Sequence, residues 1–275
     1  LKRVFEDKSY DPKVMKEVAK YKEDFQYYPD PKEPDFIEEI STKQEFGMYH
    51  VTTKPKEFED AWSKWLGCQH SLFVTSGSAA NLLLMASIKE MYNIPDGSKV
   101  LVPACTWVTN VSPVFQVGLE PVFCDVDLER YSFDMDTLPE EDIRIVFITH
   151  LLGLNSPVEQ LTKKYPNAIF LEDICESHGV KAPNGMKRGS TGLGGTFSFY
   201  YGHHMTTIEG GMVCTDDEAL HNELLLCRAH GWDRNLSSEE QKTLREKNGM
   251  DPFFGKFTFF LTVTNFNFLF PLKIV

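Results

Sequence analysis

Hydrophobic positions along this chain follow two alternating patterns. Short apolar runs, rich in Val, Ile and Phe and closed by glycine or polar residues, have the length and composition of strands. They are "SLFVTSG", "KVLVPA", "PVFCDVD", "IRIVFITH", "AIFLEDI", "GTFSFYYG" and "GGMVCTD". Between them lie longer stretches with apolar residues three and four apart, the spacing of one helix face. These are "KEFEDAWSKWLG", "SAANLLLMASIKEMY", "TWVTNVSPVFQVG", "SPVEQLTKKYP" and "DEALHNELLLCRAHG". Ser76 or Ser78 can cap the second of them, and glycine closes the first and last. The alternation predicts an α/β domain of parallel strands, with crossover helices covering both faces. Ligands of such sheets bind beyond the carboxyl ends of the strands. Polar residues that follow strands are therefore the ones to weigh.

Residues 1–55 are polar and rich in Lys, Glu and Pro, which predicts an N-terminal arm. Residues 56–235 hold the alternating elements, and 236–275 read as the start of a C-terminal region that is cut short. The closing run "FTFFLTVTNFNFLFPLKIV" is apolar, but Thr258, Thr262, Thr264, Asn265, Asn267 and Pro271 interrupt it, so the reading is against a membrane span. The charged first residues lack the apolar core of a signal peptide. The net charge of −12, with no compensating basic block, argues against a nucleic-acid partner. Six cysteines occur without a C-x-x-C pair, and most read as strand or helix residues. They point to a reducing, cytoplasmic setting and to no metal ribbon.

In "VTSGSAAN", a strand runs through Ser76, Gly77 and Ser78 into a helix. Amides at a helix start plus two hydroxyls suit a phosphate; plain capping also explains a serine there. In "IFLEDICESHG", Asp173 ends an apolar strand, with Glu172 beside it and Glu176 three residues on. A carboxylate at that place can pair with a protonated heteroaromatic nitrogen, or cap a helix. Trp107, after "KVLVPA", can stack on a planar ligand or pack in the core. Ser198 precedes a His203-His204 pair, and Gly210-Gly211 permits close backbone approach.

In this order these stretches resemble the fold-type I pyridoxal-phosphate enzymes, and among them the DegT family of nucleotide-sugar aminotransferases. The resemblance runs from about Phe58 to Asn235 and also takes in "VPACTWVTN", "GTFSFYYGHH…IEGGMVCTDD" and "CRAHGWDR". It implies a mostly parallel central sheet with helices on both faces and a small C-terminal domain, largely missing here. It implies that Gly77, Ser78 and Ser198 hold the phosphate of pyridoxal 5′-phosphate or pyridoxamine 5′-phosphate. Trp107 would stack on the ring, Asp173 would pair with the ring nitrogen, and Glu176 would join the cofactor site. Family sites lie at a two-fold interface, which implies a homodimer. Asn267 fits an asparagine that reaches the neighbouring subunit's phosphate, although the arginine of that motif is absent.

The family's cofactor lysine lies five residues after the serine of the "FSF" strand and six before the acidic residue of the Gly-Gly turn. Both counts fall on His203, and no lysine occurs between Lys187 and Lys242. Histidine cannot bond the cofactor as lysine does, but it shuttles protons near neutral pH. The pattern is similar to a branch that performs 3-dehydration of nucleotide-linked sugars. It implies a lyase acting on a 4-keto-6-deoxyhexose such as GDP-4-keto-6-deoxy-D-mannose, with L-glutamate as amino donor. His203 would be the catalytic group and His204 a supporting one. A second dehydratase type acts on a CDP-linked sugar with an iron–sulfur cluster; its cysteines have no counterpart after Cys227. An ordinary sugar aminotransferase, or a non-catalytic cofactor-binding relative, is a further alternative.

Overall fold

The computed structural model describes residues 49–250, with side chains from residue 55 onward. The sheet lies in the compact unit Pro55–Val275. Helix α1 (Tyr49–Leu66) precedes strand β1 (His70–Val74) and helix α2 (Gly77–Met91). Strand β2 (Lys99–Pro103), helix α3 (Val108–Gln116) and strand β3 (Glu120–Cys124) follow. A two-stranded hairpin, β4 (Val126–Asp127) and β5 (Ser132–Phe133), leads to β6 (Ile143–Thr149), α4 (Val158–Lys164) and β7 (Ile169–Asp173). Strands β8 (Gly194–Ser198) and β9 (Gly211–Thr215) and helices α5 (Glu218–Arg228) and α6 (Ser238–Lys247) complete the described residues.

Seven strands form one sheet in the order β1-β9-β8-β7-β6-β2-β3. It is mostly parallel, as the alternation predicted. The exception is β9, which runs antiparallel to both β1 and β8. No crossover helix separates β8 from β9, and a parallel pair would need one. The reversal points the carboxyl ends of β1 and β8 the same way, on either side of β9. Val74 of β1 and Ser198 of β8 both pair with Gly211. A Cβ at Gly211 would lie 2.2 Å from the Ser76 carbonyl oxygen, so only glycine permits this closeness.

Alternate residues of the strands feed different cores. Val100, Val102, Ile145, Phe147, Leu171 and Val213 pack with α2 and α5. Leu101, Val146 and Ile148 pack with Val158 and Leu161 of α4. Phe197, Met212 and Cys214 meet Trp62 and Leu66 of α1. Helix α2 is buried along most of its length, with Ala80, Leu83, Leu84, Met85 and Ile88 all sealed from solvent. Such a helix, apolar nearly all round, sits between layers. Ser76, not Ser78, caps it by accepting the Ala79 amide at 3.1 Å.

Two predicted helices are shorter than their apolar spacing suggested, and side-chain hydrogen bonds explain both. The Thr106 and Thr149 hydroxyls meet at 2.6 Å, which leaves Trp107 extended at the start of α3. Ser156 donates its hydroxyl to the Thr149 carbonyl, so α4 begins only after Pro157. The cysteine reading needs correction: only Cys124, Cys214 and Cys227 lie in strands or a helix, while Cys68, Cys105 and Cys175 are half-buried in connections. All six are unpaired. The apolar C-terminal run and Asn267 lie outside the described residues. Among the described residues, no helix is long and apolar enough to cross a membrane.

Candidate functional site

A cavity of about 610 Å³ opens at the carboxyl ends of β1, β2, β6, β7 and β8. Ser76, Gly77, Ser78, Trp107, Asp173, Glu176, Ser198 and His203 all line it. The cofactor and catalytic positions expected within the sheet domain, Asn267 aside, are thus gathered in one place.

One end is made by the start of α2. The amides of Gly77 and Ser78 precede the helical ladder, and the Ser78 and Ser198 side chains lie alongside. A Cβ at Gly77 would meet the Ser198 Cβ at 2.6 Å and the Cys175 Sγ at 2.9 Å. Backbone, hydroxyl and helix dipole therefore converge without a side chain between them.

Asp173 supplies the buried carboxylate. No helix follows it, so the capping alternative falls. Its Oδ1 accepts the Cys175 amide at 2.8 Å, and Oδ2 accepts the side-chain amides of Asn81 at 2.9 Å and Asn110 at 2.8 Å. Glu172, one residue earlier, has a different task. It accepts the amides of Gly189, Thr191 and Gly192 and thereby pins the 188–192 loop. The His150 Nε2 lies 3.0 Å from its carboxylate, while the His150 Nδ1 accepts the Ser156 amide, which places the ring proton on Nε2. Burial opposes the Glu172 charge, but hydrogen bonds from His150 and Thr191 outweigh it and hold the carboxyl below its usual range.

Trp107 is 64% exposed on the cavity wall, so the core-packing alternative also falls. His203 lies in the turn after β8, half-buried, with its amide donating to the Tyr200 carbonyl at 3.0 Å. His204 is exposed and does not line the cavity. Both rings neighbour His178, with centroids 6.5 Å and 6.1 Å away. Burial, followed by the two neighbouring histidines, pulls the His178 pKa down to about 4. His178 stands in the quoted "EDICESHG" but carried no separate signal there. His150, Thr149, Thr109, Tyr200 and Glu209 also line the cavity and had not been singled out as ligands. No lysine is among the described residues of the lining.

The donor set fits a flat, phosphorylated heteroaromatic group: anion donors at one end, a fixed carboxylate, and an open aromatic face. A family model described as the DegT/DnrJ/EryC1/StrS aminotransferase family matches residues 32–254. The GDP-4-keto-6-deoxy-D-mannose 3-dehydratase of Yersinia pseudotuberculosis is 37% identical over 221 residues, which cover 78% of this chain and 56% of that protein. The E. coli GDP-4-keto-6-deoxy-D-mannose-3-dehydratase, solved with bound hydrated PLP, is 33% identical with a TM-score of 0.66, covering 76% of this chain and 55% of that one. A GDP-4-keto-6-deoxymannose-3-dehydratase solved with a trapped PLP-glutamate geminal diamine is 35% identical with a TM-score of 0.63, over 66% of this chain and 49% of that one. The chain spans about half the length of the curated relatives it matches.

Proposed function

Because this chain belongs to the DegT/DnrJ/EryC1/StrS aminotransferase family, we propose that it serves the 3-dehydration of a nucleotide-linked 4-keto-6-deoxyhexose, GDP-4-keto-6-deoxy-D-mannose. Pyridoxal 5′-phosphate is the cofactor, and L-glutamate converts it to the pyridoxamine form. The observation that carries this reading is His203 on a cavity wall whose described lining holds no lysine.

When bound, the cofactor supplies an amino group for the sugar's keto carbon and a ring that absorbs electrons. Ser78, Ser198 and the first amides of α2 hold its phosphate. Asp173 accepts the ring N–H and keeps that nitrogen protonated. Trp107 covers one face of the ring, and Glu176 lies beside the same site. His203 would hold a proton on an imidazole nitrogen and give it to the sugar's 3-oxygen, which would take the C–O bonding pair and leave as water. His178, neutral down to about pH 4, adds no competing charge beside it. With no lysine among the described lining residues to capture the cofactor, its amine form would stay available for elimination.

A homodimer belongs to the same proposal. Trp107, Tyr201 and Ile208 are 64%, 68% and 77% exposed in the segments that frame the cavity, and a second copy would cover them. Light scattering of the full-length, cofactor-bound protein tests this; a monomer counts against it. A cytoplasmic setting is part of the same proposal.

The function is tested by ammonia and 2-oxoglutarate release from the full-length protein, given glutamate and the GDP-linked keto sugar. His203→Asn should lower turnover about 100- to 10,000-fold, the usual worth of a proton-transfer group. Parental turnover in that variant would remove His203 from the chemistry.

A further inference from the structure

Asn81 and Asn110 are buried, and each gives a side-chain N–H to the same oxygen of Asp173. They come from different helices: Asn81 from α2, which opens at the anion end, and Asn110 from α3, which opens at Trp107. We infer that Asn81 and Asn110 are positioning residues that fill Oδ2 of Asp173 and leave Oδ1 as the oxygen that meets the cofactor's ring N–H. The inference rests on the reading of Asp173 given above.

The argument is one of acceptor directions. A carboxylate offers about four, two on each oxygen. The two asparagines take both on Oδ2, and the Cys175 amide takes one on Oδ1. The Cys175 thiol also interacts with Asp173, and burial and then Asp173 itself hold it protonated. A thiol is a weak donor, and a cationic N–H displaces it. The orientation of Asn81 is set independently, because its Oδ1 accepts the Thr196 hydroxyl at 2.6 Å. Thr196 is the strand partner of Asp173, so the amide, the strand pair and the carboxylate close one buried loop of contacts. Asn110 has no such partner among the described residues: its Oδ1 is buried and unpaired. A leucine of similar shape would avoid that unpaired oxygen, so the position is explained by the donor end, which faces Asp173. Through these two amides a single carboxylate fixes the phosphate helix, the stacking tryptophan's helix and the ring strand relative to one another.

The test uses the full-length protein with pyridoxamine 5′-phosphate carrying ¹⁵N at its ring nitrogen. The ¹⁵N shift is followed against pH in the parent and in Asn81→Ala, Asn110→Ala and Asp173→Asn, with cofactor dissociation constants measured beside it. Each asparagine variant should lower the pH at which the ring nitrogen loses its proton by about one unit, a tenfold change, as expected for one hydrogen bond to a charged group. A variant that fails to fold is replaced by Asn81→Leu or Asn110→Leu, which keeps the volume and removes the donor without adding charge; the same shift is expected. Asn110→Ser, which restores a short donor, should recover part of it. If Asp173→Asn moves the titration and the asparagine variants do not, the positioning role is overturned while Asp173 keeps its place. If Asp173→Asn leaves it unmoved, the reading of Asp173 is overturned and this inference with it.

Discussion

Asp173 and His203 face the same cavity from very different supports. Asp173 is buried and takes hydrogen bonds from α2, from α3 and from the Cys175 amide two residues on. His203 rides on a turn tied to itself and to the end of β8, by backbone bonds from His203 to Tyr200, Thr207 to Phe199 and Phe199 to Gly210 and by the hydroxyls of Ser198, Thr206 and Thr207. Most of residues 200–209 are exposed, and Ile208 has a φ of 72°, a left-handed conformation strained for a β-branched residue. On the proposed reading, one region would fix where a cofactor sits and the other would present the group that decides what happens to it. A substitution on the turn disturbs little packing, so on that reading the reaction could change there while the buried contacts of Asp173 stay as they are.

The sharpest way to break this contrast is His203→Lys. The variant should bond the cofactor covalently, absorb in the visible and keep the cofactor through dialysis, with ammonia release falling about 100- to 10,000-fold. Retained ammonia release without covalent capture would mean that the turn does not select the reaction. His204→Asn, exposed and off the lining, should change stability by no more than about 0.5 kcal/mol and leave most turnover.

The supporting half can be broken instead. Leu84 lies sealed in α2, and Leu84→Ala should cost about 2–5 kcal/mol in denaturant unfolding. A cost below about 1 kcal/mol would show that α2 is not the rigid base described. Gly77→Ala would drive a methyl to within 2.6 Å of the Ser198 Cβ. Its expected outcome is weaker binding of pyridoxamine phosphate in calorimetry, with a smaller loss of stability than Leu84→Ala. Unchanged affinity would move the phosphate elsewhere.

The smallest effect is one of pH. The His178 pKa is about 4, against about 6.5 for a free histidine. The unfolded chain therefore binds more protons in that interval, and stability falls as pH drops from about 6.5 towards about 4. His221, depressed to about 4 by burial and then by His70, acts in the same sense. Chemical unfolding at several pH values should show a shallower slope in His178→Gln; an identical slope would mean that His178 titrates normally.

Much of the supporting half is legible in the sequence because glycine and charge punctuate its apolar runs. All seven strands of the sheet were marked this way, and Asp173 stood out as the acid ending one of them. The reversal of β9 was not legible, since an apolar run carries no sign of its direction. Asn81 and Asn110 were invisible for a different reason: a polar residue in a helix looks like surface. Only the packing of α2 and α3 on the sheet brings them to a carboxylate 92 and 63 residues away. The turn half depended on spacing alone. His203 was located by counting from Ser198 and Glu209, while His178 was passed over because its burial and its neighbours arise only in three dimensions.

The neighbouring acids of β7 carry a last consequence. Glu172 and Asp173 leave the strand in alternate directions, one towards the 188–192 loop and one towards the cavity. A slip of one residue in the pairing of this strand would exchange them. Glu172 would then lose its amide donors and its contact with His150, and Asp173 would lose both asparagines. Either loss leaves a buried carboxyl without its hydrogen bonds. The register of β7 is thus tied to the loop and the cavity at once: a slip of one residue would cost both carboxyl groups their donors together.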